Sequence, residues 1–133
     1  METYKYLLYT NLLLVISLFY FFFKRNKSLA ECILATMIVI IIITSQIFWD
    51  NPIKKSDIHT TDAAIAKIVI LSFIIYIFSY KFKFSFLIIL LAICLSFYFS
   101  NYYSNQEWCC DQHIFCHGLL HIFSFFGTFY AFI

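Results

Sequence analysis

Three histidines stand four residues apart, His113, His117 and His121. On a helix this spacing places their imidazoles on one face, a turn apart. Two imidazoles related in this way can share one metal ion. The fourth histidine, His59, precedes Asp62 by three positions. These two share a face if a helix starts at Ser56 or Asp57, both good N-cap residues. Imidazole and carboxylate ligands suit zinc, whose catalytic centres keep one position open for water. His59, His117 and His121 are therefore the candidate metal ligands. Asp62 is the candidate base, and Ser45 the candidate hydrogen-bond donor beside it.

The elements that position these groups follow from composition. Of 133 residues, 63% are hydrophobic and 12% charged, whereas a soluble domain carries about a quarter charged. With only two Gly and one Pro, turn chemistry for a small β protein is scarce. Lipid is the alternative solvent, and only helices and closed barrels satisfy their own backbone groups there. Barrel strands would alternate polar and apolar residues. The runs here are continuous and close to the roughly 20 residues that a helical span needs. The expected fold is all-α, a single transmembrane bundle over residues 1–133 with about five spans. They run from Tyr4 to Phe23, Leu29 to Trp49, Asp62 to Tyr80, Phe84 to Tyr103 and Gln112 to Ile133. The first is too long for a signal-peptide core and lacks a small-residue cleavage site, so it is expected to stay.

Five spans put the N-terminus, the second loop and the fourth loop on one side. That side carries Lys5, Lys54 and Lys55 near the membrane; the other carries Lys24, Arg25, Lys27, Lys81 and Lys83. The positive-inside rule makes the second side cytoplasmic. A net charge of +2, spread over both faces, leaves no basic patch for nucleic acid. All four histidines fall on the first side, with Asp62 at the start of the third span and Ser45 one turn inside the end of the second. Each residue alone has a plainer explanation. A histidine often hydrogen-bonds a neighbouring helix, Asp62 could cap a helix, Ser45 could be a packing hydroxyl, and Lys67 could snorkel. Their common depth favours one polar site, since ionisable groups in a membrane call for partners. Cys109, Cys110 and Cys116 lie beside that layer, either free or with one of the pair bridged to Cys116. No C-x-x-C is present to suggest thiol redox chemistry.

The stretch Cys116-His117-Gly118-Leu119-Leu120-His121, continuing to Gly127, resembles the last helix of the alkaline ceramidases. There an HxxxH precedes a glycine-bearing helix. These enzymes belong to the CREST superfamily, with the progestin and adipoQ receptors and the haemolysin III-like proteins. That superfamily also has Ser-x-x-x-His at the end of its second helix and Asp at the start of its third. Here Ser45 and Asp62 hold those places. Trp49 stands where the family has a zinc-ligating histidine, and five spans replace seven.

The resemblance implies zinc-dependent hydrolysis of a membrane lipid amide or ester. His117, His121 and His59 would hold the zinc. Asp62 would orient the water or take its proton, and Ser45 would donate to the developing oxyanion or to a ligand. The expected location is integral and multi-pass, in an endomembrane such as endoplasmic reticulum or Golgi. Two other classes stay open. One is a haem-binding electron carrier using His59 with His117 or His121 as axial ligands. The other is a non-catalytic scaffold whose polar cluster holds helices or binds a partner.

Overall fold

The computed structural model describes residues 3–133. Five helices are long and apolar enough to cross a membrane: α1 (Thr3–Phe23), α2 (Leu29–Asp50), α3 (Asp57–Lys81), α4 (Ser85–Gln106) and α5 (Asp111–Phe132). At ~1.5 Å rise per residue, about 22 residues span a hydrocarbon core of ~30 Å. The chain is thus a multi-pass membrane protein with an all-α bundle and no strand among the described residues.

Local chemistry sets the helix starts. Ser28 opens α2 with a capping box, its Oγ accepting from the Glu31 N–H at 3.1 Å while Glu31 accepts from the Ser28 N–H at 3.3 Å. Ser56 opens α3 by accepting from the His59 N–H at 3.2 Å. That helix therefore begins five residues before the apolar run, and Asp62 lies in its second turn instead of at its start. Cys110 opens α5, its Sγ accepting from the His113 N–H at 3.4 Å. Helix α1 tightens midway, where the N–H groups of Leu12 and Leu13 pair three residues back with Tyr9 and Thr10 at 3.1 and 3.2 Å. The last turn of α3, Ile77–Lys81, widens into π geometry.

The helices pack around an incomplete ring. α1 lies between α2 and α5, α2 supports α3, and α5 packs most extensively on α4. Helices α3 and α4 are joined by a short link, yet they barely touch along their lengths. The bundle therefore has a seam between them. One apolar core, with Ile38, Phe73, Phe86 and Phe132 at its centre, fills the half near the α3–α4 link. A smaller aromatic cluster of Leu7, Phe48, Trp49 and Ile114 closes the opposite end. Polar contacts tie α1 in place. Asn11 donates to the Ile42 carbonyl at 3.2 Å, Gln46 donates to the Leu8 carbonyl at 3.0 Å, and the Ser17 and Thr128 hydroxyls pair at 2.8 Å.

Candidate functional site

A cavity of about 220 Å³ runs inside the bundle from the histidine layer toward the apolar core. Its polar end is lined by Ser45, Asp62, His117 and His121, together with His59 and His113. Its other end is lined by Ile38, Val69, Phe73, Phe86 and Ile93. Ala63, Ala66 and Lys67 of α3 and Phe97 and Asn101 of α4 also face it, so it adjoins the seam.

The four histidines divide into two pairs with different attachments. The His59 Nδ1 accepts from the Lys55 backbone N–H at 2.9 Å, and the His113 Nδ1 accepts from the Cys109 N–H at 3.1 Å. Lys55 and Cys109 both adopt left-handed backbone, φ 63° and 60°, which is uncommon for residues other than glycine. Each imidazole satisfies the N–H of that turn from the third position of its helix, as the acidic residue of a capping box does for the N-cap. A neutral ring that accepts at Nδ1 carries its proton on Nε2. His59 also stacks on Phe48, with ring centroids 4.9 Å apart, and leans on Trp108 at 5.1 Å.

His117 and His121 are held otherwise. Their rings meet edge to face at 4.8 Å. The His117 Nδ1 pairs with the Ser100 hydroxyl at 3.0 Å, and the His121 Nδ1 pairs with the Thr10 hydroxyl at 2.8 Å. Nε2 of each ring has no hydrogen-bond partner among the described residues. Asp62 accepts at one oxygen, Oδ1, from Ser45 at 2.7 Å and from Thr44 at 3.2 Å. Its Oδ2 has no partner among the described residues. In this arrangement the Ser45 hydroxyl orients the carboxylate. Trp49 packs against His117 at 4.9 Å. It is 1% exposed, and its indole N–H has no partner among the described residues.

A catalytic zinc centre asks for three protein donors and an open position. His117 and His121 suit two of them, because a metal-binding imidazole commonly has its second nitrogen anchored in this way. His59 does not join them: its Nδ1 lone pair is engaged, and it makes no ring contact with either. Among the described residues, no three His, Cys, Asp or Glu side chains come close enough to hold one metal ion. Among the described residues the rings of His117 and His121 meet, and a full three-ligand set is not brought together.

Ser100, Thr10 and Thr44 were not singled out in the sequence. The first two bond to histidines 17 and 111 positions away, separations that no local pattern reveals. The capping role did leave a signal, the repeated Ser/Cys-Asp-x-His at residues 56–59 and 110–113. All five cysteines are free.

No protein-family model, curated protein or solved structure matches the chain. Fold and site together define a multi-pass helical membrane protein whose internal chamber is polar at one end and apolar at the other.

Proposed function

We propose that this protein takes an amphipathic lipid sideways from the bilayer and holds its polar end at the Asp62–His117–His121 layer. The carrying observation is the chamber itself. Four polar side chains from α2, α3 and α5 line one end of a cavity whose other end is walled by Ile38, Val69, Phe73, Phe86 and Ile93, and which adjoins a seam between two helices. At about 220 Å³, it is smaller than the roughly 300–1,000 Å³ pockets that engulf a drug-sized ligand. Only the polar end and the first part of one chain fit inside, and the rest extends through the seam. Ala66→Phe, which fills the mouth, tests the reading. Lipid retained by protein purified in mild detergent should fall severalfold while the melting temperature holds. Wild-type protein that retains no lipid would sink the proposal.

A second reading makes that lipid a substrate, as the ceramidase resemblance implies: hydrolysis of an amide or ester by a zinc-dependent enzyme. Its support is the anchoring of Nδ1 on both His117 and His121, with Nε2 of each ring left without a partner. Those two residues would hold a zinc ion, and the ion would supply Lewis acidity. Asp62 has one oxygen fixed by Ser45 and Thr44, and its other oxygen is free to take a proton. Asp62→Asn preserves the shape and should lower lipid hydrolysis by about 10²–10⁴-fold. His117→Ala or His121→Ala should empty the protein of zinc. Metal-free wild-type protein, or hydrolysis untouched by Asp62→Asn, would remove the enzyme reading and leave the lipid-binding one.

A further inference from the structure

Trp49 is the one residue whose buried side-chain donor lacks a partner among the described residues. Its ring is 1% exposed, lines the polar end of the chamber, and lies beside His117 at 4.9 Å and His113 at 6.1 Å. The neighbouring Trp108, which also lines the chamber, has its indole N–H matched within the protein: it donates to the Pro52 carbonyl at 3.3 Å. A buried donor left unsatisfied costs about 1–3 kcal/mol. Phe in the same place would keep the aromatic packing without that cost.

We infer that the Trp49 indole N–H is the docking donor for an acceptor oxygen on the polar end of the chamber's lipid. This rests on the lipid-binding reading above and adds the chemistry of the contact. The ligand presents an acceptor oxygen to α2, as a carbonyl or carboxylate does. His113 reinforces that preference, because its engaged Nδ1 leaves Nε2–H as a donor in the same layer. The oxygen has two possible sources, the carbonyl of an intact acyl ester or amide and the carboxylate of a free fatty acid.

The test uses purified full-length protein in detergent with three sixteen-carbon probes: hexadecanoic acid, methyl hexadecanoate and hexadecane. Binding of the oxygenated probe should weaken about tenfold in Trp49→Phe, the scale of one buried hydrogen bond, with hexadecane unaffected. Loss for the acid alone identifies a carboxylate, and loss for both identifies a carbonyl. In wild-type protein carrying ¹⁵N-labelled tryptophan, the indole N–H resonance that persists in Trp108→Phe should shift with the oxygenated probe. That measurement decides the matter if Trp49→Phe fails to fold. Probes that bind while this resonance stays fixed would overturn the assignment and leave the lipid-binding reading standing. If no probe binds wild-type protein, both fall together.

Discussion

The two ends of the bundle both bury polar groups, and they finish them differently. At the end where α1 meets α2, Lys24 pairs with Glu31 and donates to the Phe132 carbonyl at 2.8 Å. Glu31 also accepts from the Ser28 N–H and hydroxyl at 3.3 and 3.2 Å. Both carboxylate oxygens and the ammonium are matched within the protein, and the cluster ties α1, α2 and α5 together. At the histidine end, the Trp49 N–H, one Asp62 oxygen and two imidazole nitrogens have no partner among the described residues. Both clusters would be expensive if left unmatched in lipid. The matched one has nothing to offer a ligand. The unmatched one surrounds a cavity, and this contrast is the reason the proposed lipid binding is placed at that end.

The largest effect should come from breaking the clamp. Glu31→Ala leaves the half-buried Lys24 ammonium with the Phe132 carbonyl as its one remaining partner among the described residues, which should cost about 1–3 kcal/mol, whereas replacing both partners with Met should recover most of it. Thermal melts of the three proteins check this, and a mild Glu31→Ala would mean that the pair is not buried in the bilayer. At the open end, Ser100→Ala and Thr10→Val release the imidazoles. If His117 and His121 bind zinc, metal affinity should fall about 10–100-fold, the usual effect of removing such anchors. Melting temperatures should change little, so equal losses of stability and affinity would make these hydroxyls structural. Between the two ends, Ser17→Ala removes the hydroxyl pair with Thr128. Interhelical hydrogen bonds in membranes average about 0.6 kcal/mol, so the melt should move only slightly.

The smallest effect concerns the loop over the open end. Burial, reinforced by neighbouring Cys110, pushes the Cys109 thiol up to about 11. A raised value keeps the thiol protonated at neutral pH, and reactivity should grow as pH rises through that value. Alkylation of Cys109, followed by mass spectrometry, should still be climbing at pH 10. A plateau near pH 9 would show that the loop does not cover the residue.

Lipid leaves the backbone few choices, so the continuous apolar runs determined five helices and the sides on which their ends lie. Spacing alone put His117 and His121 on one face, because the α-helix repeats nearly every four residues. The start of α3 was half legible: Ser56 is a good cap, but the apolar run begins later and drew the boundary to Asp62. Tertiary structure decided which histidines remain available. His59 and His113 have the same side chain as His117 and His121. Their roles diverge because Lys55 and Cys109 turn left-handed and present an N–H to be capped, while Ser100 and Thr10 arrive from other helices. The seam between α3 and α4 is likewise a property of packing, since neighbours in sequence need not be neighbours in the bundle. Trp49 reads in the sequence as a residue standing in the place of a ligand histidine. Only the tertiary structure encloses its N–H among rings without an acceptor among the described residues.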